Sequence, residues 1–163
     1  MLIGLIADTH NNLEMTARAV DIFKTRQVDL IIHAGDLTSP RMLEIFKTCS
    51  CRFVLGNGDL DADIINSKSE EYGFGRVDTS CDVTIDGKRF FIFHGDDVPL
   101  FRQAVASGHY DYIIKGHTHL FENYVSNNTR IINPGTIYGS ETHTIAILDT
   151  ANGRVEQIRI VED

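Results

Sequence analysis

Acidic, amide and imidazole side chains gather in five short clusters, each directly after an apolar run: Asp8-Thr9-His10, Gly35-Asp36, Gly56-Asn57-Gly58-Asp59, His94-Gly95 and Gly116-His117-Thr118-His119. Singly, each has an ordinary explanation. Asp8 could cap a following helix, Gly-Asp is a common turn, Asn57-Gly58 is the usual sequence of a type I′ turn, and a histidine at a strand end is commonly structural. His117-Thr118-His119 is the strongest cluster. Two imidazoles two residues apart point the same way from an extended segment, and Gly116 lets the backbone turn tightly. Turns alone do not require that strand after strand exit on Asp, Asn or His. Asp8, Asp36, Asn57, His10, His94, His117 and His119 together offer seven oxygen and nitrogen donors. That is too many for one tetrahedral zinc and suits two divalent ions. Carboxylate with imidazole, without thiolate, favours Mn, Fe, Zn or Ni over Mg or Ca. Two such ions roughly 3.5–4 Å apart need a bridging carboxylate. They bind hydroxide at neutral pH, clamp phosphate oxygens and stabilise in-line displacement at phosphorus.

The elements must deliver these residues to one place. Leu2–Ala7, Asp29–His33 and Cys51–Leu55 read as strands buried on both faces, since they are apolar without clean alternation. Asn11 with Glu14 reads as a helix cap, followed by Leu13, Ala17, Val20 and Phe23 at helical spacing. Ser39-Pro40 reads as a second helix start, with Met42, Leu43, Ile45 and Phe46 as its stripe. The resulting β-α-β-α-β order predicts a parallel sheet with right-handed crossovers, and it sets Asp8, Asp36 and Asn57 at one sheet edge, where open α/β sheets bind ligands. The second half predicts a hairpin of Val83–Ile85 with Arg89–Phe93 around Asp86-Gly87, a helix over Leu100–Ala106 and a strand over Tyr110–Lys115. Two further pairs follow, Tyr124–Val125 with Thr129–Ile132 and Thr144–Leu148 with Val155–Ile160. The expected fold is α/β, two stacked mixed β-sheets flanked by helices, as one domain over residues 1–163.

Hydrophobic residues at 42% and charged residues at 23% are near the globular average. The 163 residues carry 15 Lys+Arg against 23 Asp+Glu, a net charge of −8. The longest basic run is Lys88-Arg89, so general nucleic-acid binding, which needs a basic face, is not expected. No apolar run approaches the roughly 18 residues of a membrane span. The opening MLIGLIADTH has no basic lead and no small-residue cleavage site, so it is not read as a signal peptide. The odd set Cys49, Cys51 and Cys81 reads as reduced thiols of a cytoplasmic protein, with Cys49 and Cys51 as small apolar packing residues.

The ordered blocks D-x-H, GD, GN-x-D, H and GHTH, across positions 8 to 119, resemble those of the calcineurin-like metallophosphoesterase superfamily. With Asn133-Pro134-Gly135-Thr136 the likeness covers nearly the whole chain, and its length and GHTH ending look like the small bacterial and archaeal phosphodiesterases. The resemblance implies a four-layer α/β/β/α sandwich and a phosphodiesterase with two divalent ions, manganese first. One ion would be held by Asp8, His10, Asp36 and His119, the other by Asp36, Asn57, His94 and His117, with Asp36 bridging. Asn57 would also orient a phosphate oxygen, and Asp59 would orient ligands or water from behind. Larger relatives have a histidine at the position of Gly58, a candidate general acid, and small ones often have cysteine there. Some small ones have a further histidine where this chain has Asp96-Asp97. No residue is therefore assigned as general acid.

The same centre would also serve a phosphomonoesterase or a nuclease. The other class is a protein-interaction scaffold: a subunit of the eukaryotic retromer coat resembles this fold but has lost a metal-ligand histidine, whereas here every ligand position is filled. Pocket-rim loops are expected at Lys68–Thr79 and Val98–Arg102. His33 is expected beside the site, His109 in a loop, and His143 in a solvated loop after Gly139-Ser140-Glu141-Thr142. Exposed apolar strand edges leave room for a homodimer.

Overall fold

In the computed structural model, residues 1–139 and 142–161 are described. Ten strands and four helices follow in the order β1 (Leu2–Ile6), α1 (Leu13–Thr25), β2 (Leu30–Ala34), α2 (Met42–Ile45), β3 (Cys51–Val54), α3 (Ala62–Glu71), β4 (Ser80–Ile85), β5 (Lys88–Phe93), α4 (Val98–Ser107), β6 (Tyr112–Ile114), β7 (Phe121–Ser126), β8 (Thr129–Pro134), β9 (His143–Asp149) and β10 (Arg154–Ile160). One five-stranded sheet runs β10-β9-β1-β2-β3 and the other β4-β5-β6-β8-β7. β1, β2 and β3 are parallel, as are β5, β6 and β8, and the remaining pairs are antiparallel.

The central strands of both sheets are buried on two faces, which is why they read as continuous apolar runs. Ile3 and Leu5 of β1 meet Phe90 and Ile92 of β5 in the core between the sheets. Ile6 faces outward into a second core with Met15, Ala19, Val20 and Phe23 of α1. Phe91 and Phe93 face the other way, against Ala104 of α4. The two mixed sheets flanked by helices are those expected.

Several local expectations need correction. The cap of α1 is Asn12, not Asn11: its side chain accepts a hydrogen bond from the Met15 amide at 3.2 Å. α2 begins at Met42 and is one turn long, so Ser39-Pro40 forms the turn before it. Lys68–Thr79 is not wholly a loop, because α3 runs to Glu71, and Val98–Arg102 is the first half of α4, capped by Asp97. His143 is buried at the start of β9, while Ser140 and Glu141 lie outside the described residues. No helix among the described residues is long and apolar enough to cross a membrane.

Candidate metal centre

Parallel strands release their C-terminal ends at one edge, and the candidate residues sit there. Asp8 and His10 follow β1, Asp36 follows β2, and Asn57 and Asp59 follow β3. From the second sheet, His94 follows β5, and His117 and His119 follow β6. Backbone bonds tie these loops together: the Asp8 amide donates to Gly35 O at 3.0 Å, His10 to Asp36 O at 3.0 Å, and Gly116 to His94 O at 2.7 Å. Gly116 is required by space as well as by the turn, since a Cβ there would stand 2.7 Å from Asp8 Oδ2. Asp8, His10, Asp36, His117 and His119 all adopt left-handed backbone conformations, with φ of 52°, 40°, 59°, 69° and 60°. Such positions cost about 1–3 kcal/mol each outside glycine and collect at functional sites.

The side chains converge on two carboxylates. Asp36 Oδ2 lies 3.4 Å from Nε2 of both His10 and His94, and Asp8 Oδ1 lies 3.3 Å from His119 Nε2. Asp8, His10 and His119 offer atoms within 4.8 Å of one another, and so do Asp8, Asp36 and His94. Asp8, Asp36 and His94 are buried, and His10 is half-buried. His94 Nδ1 donates to the Ala34 carbonyl at 2.9 Å, which fixes the ring orientation and turns Nε2 toward the carboxylates. Nε2 of His10 and of His94 are buried without a hydrogen-bond partner.

The electrostatics follow from packing carboxylates and imidazoles together out of water. Burial lifts the Asp8 carboxyl to about 7. Burial does the same work on Asp36, but His94 and the Gly58 amide hold it below the ordinary value. Burial opposes charge on His94, yet the Asp36 carboxylate, the Ala34 carbonyl and Asp8 raise its pKa to about 9. His119 is lowered by burial and by neighbouring His10.

Asn57 is exposed on the loop whose next amide, Gly58 N, donates to Asp36 Oδ1 at 2.7 Å. His117 is also exposed. Its ring meets His94 edge-on at 5.2 Å, while its amide donates to the Asp8 carboxylate. Asp59 is buried and accepts from the amides of Asp36 (3.0 Å), Gly56 (2.8 Å) and Thr38 (2.6 Å). His33 is fully buried, and its Nε2 meets Thr9 Oγ1 at 3.0 Å, between Asp8 and His10 in sequence. Burial drives its pKa down to about 3, so it is neutral. His109 is exposed, as expected.

Two contributors were not expected from sequence. Thr136 Oγ1 donates to the Asp8 carbonyl at 3.0 Å, and the Tyr138 ring packs 4.5 Å from that of His10. The Asn133–Thr136 block was the available signal for Thr136, whereas Tyr138 has none in sequence.

Residues 1–153 match the model of the calcineurin-like phosphoesterase superfamily domain. A phosphodiesterase of Methanocaldococcus jannaschii is 33% identical over 97% of this chain and 98% of its own. The structure of an archaeal phosphodiesterase superposes with a TM-score of 0.90 at 31% identity, covering 98% of this chain and all of that one. Vps29 of Chaetomium thermophilum shares the fold, with a TM-score of 0.73 at 15% identity over 100% of this chain and 98% of that one. The chain belongs to the calcineurin-like phosphoesterase superfamily, and it is a metal-dependent phosphoric ester hydrolase.

Proposed function

We propose that the chain is a cytoplasmic phosphodiesterase that hydrolyses small phosphoesters with two divalent transition-metal ions, manganese first. The observation that carries this reading is the pair of buried, unpartnered Nε2 atoms on His10 and His94, both 3.4 Å from the same Asp36 oxygen. Such atoms are costly unless they meet a proton donor or a cation, so the residues present fit metal ions. Asp8, His10, Asp36 and His119 would hold one ion and Asp36, Asn57, His94 and His117 the other, with Asp36 shared. When bound, the ions would supply an ionised water as nucleophile at neutral pH and neutralise charge on the phosphoryl oxygens.

The chain's own groups do the positioning. The Ala34 carbonyl holds the His94 ring in the orientation that presents Nε2. The amides of Gly58 and His117 hold Asp36 and Asp8, so neither carboxylate must reorient during reaction. Asn57, exposed at the rim, can donate its amide hydrogens to a phosphate oxygen. Asp59 fixes the loops that carry Asp36 and Asn57 and so orients those residues from behind. Diester preference draws on the M. jannaschii relative, named a phosphodiesterase. The filled ligand positions favour an enzyme over a scaffold.

Elemental analysis after manganese saturation and removal of excess should give two ions per chain, and well under one would end the dinuclear reading. His119→Ala should abolish most turnover of bis-nitrophenyl phosphate while circular dichroism stays native, since it deletes a half-exposed ligand and not core volume. Wild-type kcat at saturating metal would remove His119 from the site.

A further inference from the structure

The apolar alternation of β10 fails on one face. Ile158 and Ile160 pack into the core beneath α1, and Val155 packs into the core between the sheets. Residues two apart in a strand share a face. Gln157 and Arg159 therefore follow Val155 on the inner face, where stacked sheets ordinarily place apolar side chains, and both are exposed there. They line an open cleft of about 430 Å3 together with His119, Leu120, Phe121 and Tyr138. β10 is an edge strand of its sheet, and Phe121 opens β7, an edge strand of the other. The cleft thus lies where the two sheets part, and His119 connects it to the metal centre.

Its walls have a definite chemistry. Tyr138 is half exposed and its ring is braced against His10 at 4.5 Å. Leu120 is 67% exposed, an apolar surface with nothing upon it among the described residues. Gln157 offers both a donor and an acceptor. Arg159 makes no ion pair among the described residues, in a chain of net charge −8.

We infer that this cleft receives the nucleoside of a short nucleotide diester whose far end carries a further phosphate, bound by Arg159. The inference rests on the phosphodiesterase reading and names its substrate class. A planar base stacks on an exposed aromatic face. An amide side chain reads the polar edge of a base, and a guanidinium fork matches a phosphate through two parallel hydrogen bonds. The volume is within the usual range for small-ligand pockets.

Calorimetric titration of the manganese-loaded protein with a nucleoside bisphosphate and the matching monophosphate tests it. The bisphosphate should bind at least about tenfold more tightly, as one charge-assisted contact allows. Arg159→Gln should erase that difference and Arg159→Lys keep part of it, while Tyr138→Ala weakens both ligands. Equal affinities in the wild type, or a preference that survives Arg159→Gln, would overturn the assignment. Failure of the phosphodiesterase reading shows separately, as no hydrolysis of bis-nitrophenyl phosphate whatever the binding result.

Discussion

Gly58 shows how little freedom the centre leaves a single residue. Its amide holds Asp36 Oδ1 at 2.7 Å, and a Cβ at this position would stand 3.0 Å from Oδ1 and 3.1 Å from Oδ2. The histidine of larger relatives cannot be placed here without moving the carboxylate that both His10 and His94 approach. Gly58→Ala should therefore raise the manganese concentration for half-maximal activity by about tenfold or more, the usual effect of disturbing what orients a ligand. A metal titration of diester hydrolysis checks this, and an unchanged half-saturation point would mean that Asp36 has room to adjust. At this scale the sequence was informative because Asp8, Asp36, Asn57, His94 and His117 all sit within three residues of a strand end. Tyr138 carries no signal in sequence because its role is its contact with His10, 128 positions away in sequence by subtraction (138 − 10) and visible only in space.

Among the elements, Asp59 and α3 illustrate polar groups used as fasteners. The Asp59 carboxylate accepts three amides, from the loops after β2 and β3, and so fixes those two loops to each other. An asparagine would offer one oxygen and turn an N–H group toward amides that are themselves donors. Asp59→Asn should lower stability by about 2 kcal/mol or more and reduce activity with it. Urea unfolding measures the first, and a wild-type midpoint would show that the loops do not depend on this carboxylate. α3 was invisible in sequence for a related reason. Its buried side chains are Ile65, Asn66 and Ser69, so no apolar stripe marks it. Asn66 exchanges two hydrogen bonds with the Val77 backbone and Ser69 donates to Gly75 O, which docks the helix through polar contacts. By contrast α1 was legible from Val20 and Phe23, which are buried with Met15 and Ala19, although the expected Leu13 and Ala17 are only half-buried and the cap is Asn12. Strand order in the second sheet was not, because β6 lies between β5 and β8 by pairings that no local pattern encodes.

Across the whole molecule, the candidate ligands divide between the two sheets. Asp8, His10, Asp36 and Asn57 come from the first sheet, and His94, His117 and His119 from the second. Each compact group spans that division: Asp8 and His10 with His119, and Asp8 and Asp36 with His94. The apolar core between the sheets supplies general adhesion, but at this edge it gives way to buried carboxylates and bare imidazole nitrogens that weaken the metal-free fold. Cations bound there would cross-link the sheets and satisfy those groups together. Ligand binding to the folded state alone stabilises by about 2.7 kcal/mol per site at a hundredfold excess over Kd. A chain of this size gains roughly 2–4 °C per kcal/mol. Manganese loading should therefore raise Tm by about 10 °C or more over the chelated protein. His119→Ala, which removes a second-sheet ligand from one group, should lose much of that gain while its metal-free Tm stays near wild type. Scanning calorimetry in chelator and in manganese reads both quantities. A Tm indifferent to metal would mean that the sheets are held by their apolar core alone and that the converging side chains do not bind ions in the folded protein.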